Sequence, residues 1–212
     1  MVSIIITTFN YGRFIERAIR SCLDQSMPNN RYEIIVVDDA STDNTSHILS
    51  NYQEEIKLIR FDENKGLSAA RNEGVRKAKG QYVVFLDADD YIHHDLIKIQ
   101  SLFLEENHQL DAVSIDYYVV DEKEHHREWI KSSEKPIACG IMFRKDLLID
   151  IGLYDENFRA REEEDLRIRF LEKFTIYPIP LPLYRYRRHE HNLTNNVTAM
   201  DHAAEQLKNK HQ

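Results

Sequence analysis

The sequence contains little of what marks a disulfide-stabilised or membrane-spanning protein. Only two of its 212 residues are cysteines, Cys22 and Cys139, and only six are glycine and five proline. Two cysteines in apolar stretches are too few for a disulfide framework, so we expect buried thiols. No apolar run approaches the roughly 20 residues of a spanning helix, and the N-terminus lacks the features of a signal peptide. We therefore expect a cytoplasmic protein.

Basic residues are in the minority, because 28 Lys and Arg stand against 36 Asp and Glu, a net charge of −8. This balance argues against a nucleic-acid-binding protein that relies on a broad phosphate-neutralising surface. Hydrophobic residues make up 42% of the chain, with 11 Tyr and 9 Phe. That composition excludes a disordered chain, and the length fits one large domain with at most a small extension.

Strand-like and helix-like patterns alternate along the first 110 residues. Each short β-branched or apolar run is followed by a segment whose apolar residues recur every three or four positions. The predicted strands are residues 2–8, 32–37, 56–61 and 81–86. The resulting βαβαβαβα order predicts an α/β fold with a mostly parallel, Rossmann-like sheet that carries helices on both faces.

The second half of the sequence is less regular. A strand is predicted at residues 111–120 and a charged loop at 121–134. Two helices are predicted at residues 145–151 and 161–173. An edge strand or extended segment with three prolines is predicted at residues 176–186, and a terminal helix at 200–210. No internal repeat is present.

Polar and acidic residues follow three of the predicted strands. Thr8-Phe9-Asn10 ends the first strand, Asp38-Asp39 the second and Asp87-Ala88-Asp89 the fourth. Ligands of open α/β sheets bind outside the carboxyl ends of the strands. We therefore expect these three groups to meet at one edge of the sheet and to form a binding site.

Asp87 and Asp89 place two carboxylates one residue apart at a strand end. Such a pair can hold a hard divalent cation through oxygen, and Mg²⁺ usually binds few carboxylates together with substrate phosphates. A polar turn that caps the next helix would explain the same residues without a ligand. The strand-end position and the second acidic group at Asp38-Asp39 favour a metal–diphosphate site.

The chain resembles the family 2 glycosyltransferases of the GT-A fold over nearly its whole length. The resemblance rests on four segments in a specific order and spacing, residues 3–10, 33–43, 64–74 and 82–90. It implies a single GT-A domain, of the nucleotide-diphospho-sugar transferase type, over residues 1–196. Residues 1–110 would be the nucleotide-sugar-binding half, 111–196 the acceptor-binding half, and 197–212 a C-terminal helical tail.

The resemblance also implies roles for individual residues on the donor side. Thr8, Phe9 and Asn10 take the positions that contact the nucleobase in this family. Asp39 matches a carboxylate that hydrogen-bonds the base, and Arg71 matches a basic residue near the base and ribose.

The same resemblance implies a metal site at the acidic turn. Asp87 matches the carboxylate that faces the ribose, and Asp89 the one that carries Mn²⁺ or Mg²⁺ on the diphosphate. His189 takes a position that approaches the metal or the diphosphate. Without the resemblance, a lone histidine on a basic strand would be interpreted as a surface residue.

The general base for the acceptor hydroxyl is expected in the acidic segment 162–165. Counting back six residues from Arg169 places the family's base, normally an aspartate, at Glu163. Glu164-Asp165 is a literal Glu-Asp pair one position later, so Glu164 and Asp165 remain candidates. An acidic first turn that complements the helix dipole is the alternative without catalysis.

These features predict an inverting transferase that uses a nucleotide sugar and a divalent metal ion. Its expected partners are the donor and a glycan or lipid-linked acceptor, at the inner face of the membrane if the acceptor is lipid-linked, and not nucleic acid. The tail is expected to pack on a partner or on a second copy of the chain. The alternatives are a sugar-nucleotide-binding protein with impaired catalysis and, with less support, a phosphohydrolase that also ends a strand in an Asp-x-Asp motif.

Overall fold

Nine strands form one continuous sheet in the computed structural model, which describes residues 1–190, 192, 195 and 197–211. The strands are β1 Val2–Thr8, β2 Tyr32–Asp38, β3 Lys57–Arg60, β4 Tyr82–Asp87, β5 Tyr91–Ile92, β6 Ala112–Val120, β7 His126–Ile130, β8 Ile141–Arg144 and β9 Ile176–Arg187. The helices are α1 Gly12–Leu23, α2 Thr45–Ser50, α3 Leu67–Lys77, α4 Leu96–Glu106, α5 Lys145–Asp150, α6 Glu162–Leu171 and α7 Val197–His211. Asn196, the predicted end of the main domain, lies outside the described residues.

The first half of the sheet is parallel, in the order β3-β2-β1-β4. Every residue of β1 is buried, because helices cover both faces of a parallel sheet and its β-branched run suits that environment. The register pairs Thr8 with Asp38 and Thr7 with Asp87. The three polar strand ends therefore lie side by side, and the predicted α/β class and common edge are confirmed.

The second half of the sheet mixes strand directions. β8 pairs antiparallel with β4 and with β6, whereas β9 runs parallel to β6. On its other side β9 pairs only at Tyr184 and Arg185, with the short β5, so most of it is an edge as predicted. The two-residue β5 has no sequence signal of its own.

The predicted loop at residues 121–134 is wrong in part, because β7 lies within it. β7 pairs antiparallel with β6 and places Trp129 opposite Tyr118. Most of β7 is exposed and rich in charged side chains, so it lacks the apolar alternation that indicates a strand. Its backbone pairing with the long β6, and not its composition, makes it a strand.

The helices follow the sequence patterns closely. α1 buries Ile15, Ala18, Ile19 and Cys22, and both cysteines are buried free thiols as predicted. None of the helices within the described residues has the length and apolar composition that crossing a bilayer requires.

Candidate active site

A cavity of about 980 Å³ opens at the carboxyl ends of β1, β2 and β4. Most of the residues predicted from the sequence line it, namely Thr8, Phe9, Asp39, Arg71, Asp87, Asp89, Glu163, Glu164 and His189. Asn10 and Asp165 do not line it. The cavity therefore joins the donor-side residues of the first half to the acidic helix α6 of the second half.

Asp39 is held by backbone amides at the start of α3. Its Oδ1 accepts a hydrogen bond from Lys65 N at 2.7 Å and its Oδ2 one from Gly66 N at 2.8 Å. Gly66 has a φ of +95°, which disfavours other residues, and an added side chain would collide with the Arg159 guanidinium. The carboxylate of Asp39 thus fixes the loop before α3 beside the end of β2.

Phe9 lines the cavity, whereas Asn10, the next residue in the sequence, does not. The Phe9 ring lines the cavity and is 41% exposed, so a planar ligand can reach it. Asn10 has a left-handed φ of 59° and its Oδ1 accepts hydrogen bonds from Thr42 N at 2.7 Å and Asp43 N at 3.3 Å. Asn10 therefore stabilises the turn after β2 instead of lining the cavity.

Arg71 lies between carboxylates of the two halves of the chain. Its Nη1 donates to Glu162 Oε1 at 2.6 Å and its Nη2 donates to Asp87 Oδ1 at 2.9 Å. The Arg71 side chain is only 1% exposed and stands beside the rings of Phe85 and Tyr154. Arg71 thus binds protein carboxylates at the cavity wall. The contact of Glu162 with Arg71 was not predicted, although Glu162 precedes the expected base, Glu163, in the sequence.

Asp89 is less exposed than Asp87 and contacts His189. Asp89 Oδ2 is 2.8 Å from His189 Nε2 and accepts a hydrogen bond from Asn192 Nδ2 at 3.2 Å. Phe14 stacks on the His189 ring at 4.7 Å. Burial raises the pKa of Asp89. The hydrogen bond to His189 lowers this pKa, and the charge of Asp87 raises it further.

Two neighbouring carboxylates and an imidazole at one cavity wall fit a hard divalent cation. The negative charges of Asp87 and Asp89 repel each other, and this repulsion adds to the larger effect of burial on the pKa of Asp89. A cation between these groups would remove that repulsion. Asp89 and His189, the ligands expected from the sequence, both lie at this wall.

Asp90, the third aspartate of the turn, is enclosed by β9. Its Oδ2 accepts a hydrogen bond from the Tyr184 hydroxyl at 2.6 Å and its Oδ1 one from Arg187 N at 2.7 Å. Arg187 Nε donates to the backbone oxygen of Asp89 at 2.7 Å. Burial raises the pKa of Asp90 well above its usual range. Asp90 and Arg187 therefore fix the turn that carries Asp89, and neither was predicted.

The acidic residues of α6 point in different directions. Glu163 lines the cavity, and burial together with the charge of Glu162 raises the pKa of Glu163 to about 7. Glu164 also lines it and accepts a hydrogen bond from Arg161 at 2.8 Å. Asp165 is fully buried away from the cavity, where Arg169 donates to its Oδ2 at 2.7 and 2.9 Å.

Comparison with known proteins gives one consistent family. The family model described as Glycosyl transferase family 2 matches residues 3–167. An uncharacterised glycosyltransferase of Rickettsia conorii is 32% identical over 199 residues, which are 88% of this chain and 32% of that protein. The chain thus spans about a third of the length of this relative.

Solved structures agree with the sequence matches. The crystal structure of Staphylococcus aureus TarS 1-349 in complex with UDP-GlcNAc has a TM-score of 0.81 at 25% identity, covering 92% of this chain and 60% of that one. The corresponding curated protein, poly(ribitol-phosphate) β-N-acetylglucosaminyltransferase TarS, is 34% identical over 109 residues, half of this chain and 19% of TarS. The mannosyltransferase PcManGT from Pyrobaculum calidifontis, solved with GDP-Man and Mn²⁺, shares the fold with a TM-score of 0.77 at 20% identity, covering 99% of this chain and 63% of that one.

Proposed function

This chain belongs to glycosyltransferase family 2, and on that premise we propose that it is an inverting, metal-dependent glycosyltransferase. It would transfer a sugar from a nucleotide-diphosphate donor to a hydroxyl of a glycan or lipid-linked acceptor. The observation that carries the proposal is one cavity lined by Asp87 and Asp89 at the strand ends and by Glu163 on α6. The UDP-GlcNAc bound in the TarS structure supports a nucleotide-sugar donor.

The nucleoside part of the donor would bind over the ends of β1 and β2. The exposed ring of Phe9 offers a stacking surface for the base. The Asp39 carboxylate, already oriented by the amides of Lys65 and Gly66, can accept a further hydrogen bond from a base N–H. Thr8 and Arg71 complete this side of the cavity.

The diphosphate would bind next to Asp87 and Asp89. Asp89 and His189 would hold Mn²⁺ or Mg²⁺, and the hydrogen bond from Arg187 to the Asp89 backbone keeps the turn in place. When bound, the cation supplies positive charge to the leaving nucleoside diphosphate. Asp87 remains held by Arg71, which orients its second oxygen for the donor.

Glu163 would act as the general base for the acceptor hydroxyl. A base works best when its pKa lies near the working pH, and burial has raised the pKa of Glu163 to about 7. Glu163 would take the hydroxyl proton while the acceptor oxygen attacks the anomeric carbon opposite the diphosphate. A single displacement of this kind inverts the anomeric configuration.

The acceptor would enter along the wall formed by the second half of the chain. That wall is largely apolar and includes Tyr117, Val119, Ile130, Pro136, Ile137 and Ala138. Such a wall suits an acceptor whose sugar is attached to an apolar group. An acceptor of that kind would bring the protein to a membrane surface.

A panel assay tests the proposal. The protein is incubated with Mn²⁺, single UDP-, GDP- or dTDP-sugars and octyl glycosides, and release of nucleoside diphosphate is measured together with the glycoside product. We expect one donor class to release its nucleoside diphosphate and to form a product of inverted configuration. Binding without turnover would indicate a protein with impaired catalysis, and release of inorganic phosphate from phosphoesters would indicate a hydrolase; either result contradicts the proposal.

A further inference from the structure

Asp165 forms the centre of a cluster that lies behind the cavity wall. Its Oδ2 is bound by Arg169, and its Oδ1 lies 2.7 Å from Lys210 Nζ and 2.9 Å from His211 Nε2. The side chain of Asp165 has no exposed surface. Three basic groups therefore contact a carboxylate that no substrate in the cavity can reach.

The two groups that bind Asp165 Oδ1 come from the end of α7. Lys210 Nζ also lies 2.7 Å from Asp155 Oδ2 and stands 5.3 Å from the centroid of the Phe158 ring. Lys210 therefore joins α7 both to α6 and to the loop before it. These contacts show that α7 packs on its own domain.

The other end of α7 reaches the cavity. Met200 is one of the lining residues, and its backbone oxygen accepts a hydrogen bond from Arg161 Nε at 3.2 Å. Arg161 adopts a left-handed φ of 56° immediately before α6 and also binds Glu164. α7 thus spans from the buried Asp165 cluster to the part of the cavity wall at Arg161, which also binds Glu164.

We propose that Asp165 is the docking site of α7, and that Lys210 and His211 hold this helix as the cavity wall against which the acceptor is positioned. The proposal rests on the proposed function, with Glu163 as the base. Asp165, Lys210 and His211 are then positioning residues that act through α7 and Met200. The carboxylate of Asp165 then has a positioning role and takes no part in the chemical step.

The geometry predicts which kinetic constant depends on this cluster. Arg169 remains bound to Asp165 when Lys210 and His211 are replaced, and it also donates to the backbone oxygens of Ile151 and Leu153. α6 therefore keeps its position, and Glu163 stays in the cavity. Loss of the α7 contacts should weaken acceptor binding and leave the chemical step and donor binding nearly unchanged.

The test combines a structural and a kinetic measurement on the double variant Lys210→Gln/His211→Gln. Hydrogen exchange of residues 197–211 reports docking of α7 without any substrate. Acceptor KM and kcat are measured with the donor and octyl glycoside that the panel assay identifies, and UDP affinity is measured with Mn²⁺. Lys208→Gln, on the exposed side of the same helix, is the matched control, and Lys210→Arg with native His211 should keep the contacts.

We expect the double variant to lose exchange protection in α7 and to raise acceptor KM about tenfold, with kcat and UDP affinity changed less than about threefold. Lys208→Gln and Lys210→Arg should behave like the native protein. Unchanged exchange in the double variant would overturn the docking role. Lost protection with an unchanged KM, or with a kcat defect alone, would overturn the positioning role. If no donor turns over, the proposed function fails separately, and the exchange experiment still decides the docking of α7.

Discussion

Arg71 on α3 donates a hydrogen bond to Glu162, the first residue of α6, at 2.6 Å, and both side chains are buried. The same guanidinium binds Asp87 of the acidic turn at 2.9 Å. One cation therefore connects the strand end on the donor side to the helix that presents Glu163. This link fixes the proposed base relative to the donor, because neither carboxylate can move without leaving Arg71.

Replacing Arg71 should destabilise the whole protein. Arg71→Met would leave Glu162 and Asp87 without their common cation, and breaking a buried ion pair in this way typically costs about 3–5 kcal/mol. Urea unfolding should show this loss. Arg76→Met on the same helix, with a side chain that is 53% exposed, should change the free energy of unfolding by less than about 0.5 kcal/mol. Equal effects of the two substitutions would contradict the role of Arg71.

The rate of transfer should depend on the protonation of Glu163. A base is active only when deprotonated, so kcat should fall as the pH decreases through the pKa of Glu163, which burial has raised to about 7. The pH profile of kcat at saturating donor and acceptor checks this expectation. A rate that stays constant from pH 8 down to about 5, near the unperturbed carboxyl pKa, would show that another group is the base.

The same carboxyl group should make stability depend on pH. Glu163 binds its proton more tightly in the folded than in the unfolded chain, because its pKa is raised from 4.5 to about 7. Between these values unfolding releases the proton, so the free energy of unfolding decreases as pH rises. Relative to Glu163→Gln, the native protein should lose stability from about pH 5 to about pH 8 in urea unfolding experiments. An unchanged difference would mean that folding does not raise the pKa of Glu163.

The Tyr184 hydroxyl should contribute to stability through Asp90. Tyr184→Phe removes the donor that binds Asp90 Oδ2 at 2.6 Å and leaves a buried oxygen without it, which typically costs about 1–3 kcal/mol. Tyr177→Phe on the same strand is the control, since Tyr177 is 47% exposed. Thermal unfolding of both variants distinguishes them. If Tyr184→Phe unfolds at the same temperature as the native protein, the turn does not depend on this contact.

Metal-dependent nucleotide binding should require Asp89. Asp89→Asn removes the charge that we propose to hold the metal ion at the diphosphate. Loss of a contact that supports a metal site typically costs roughly 10- to 100-fold in affinity, and UDP affinity in Mn²⁺ should fall by at least that factor. Isothermal titration with UDP, in Mn²⁺ and in EDTA, measures the difference. The EDTA values should agree between native and variant protein. If the variant retains full Mn²⁺-dependent affinity, Asp89 is not the ligand.

The parallel half of the fold could be predicted because each of its elements carries its own signal. The buried run of β1 and the acidic residues after β2 and β4 are local patterns, and the carboxyl ends of parallel strands lie at one edge. β7 could not be predicted, since its pairing with β6 is non-local and its side chains are mostly exposed and charged.

Helical spacing separates Glu163 from Glu162 and Asp165, but the sequence does not show which side of the helix meets the cavity. Glu163, Glu164 and Asp165 are adjacent on one helix, and only the three-dimensional positions of Arg169 and Lys210 show that Asp165 points away from the cavity. The partner of Glu162 is Arg71, 91 residues earlier in the chain. A contact over that distance leaves no pattern in a single sequence.

The comparison of Glu163→Gln with Asp165→Asn tests the central assignment most directly. Both variants are assayed for kcat with the donor and acceptor identified by the panel, and their UDP affinity in Mn²⁺ is measured as a check on the donor site. Loss of a general base typically lowers the rate by about 10²- to 10⁴-fold, and we expect this for Glu163→Gln with unchanged UDP affinity. Asp165→Asn should retain kcat and show a raised acceptor KM. A fully active Glu163→Gln enzyme beside an inactive Asp165→Asn enzyme would contradict the assignment.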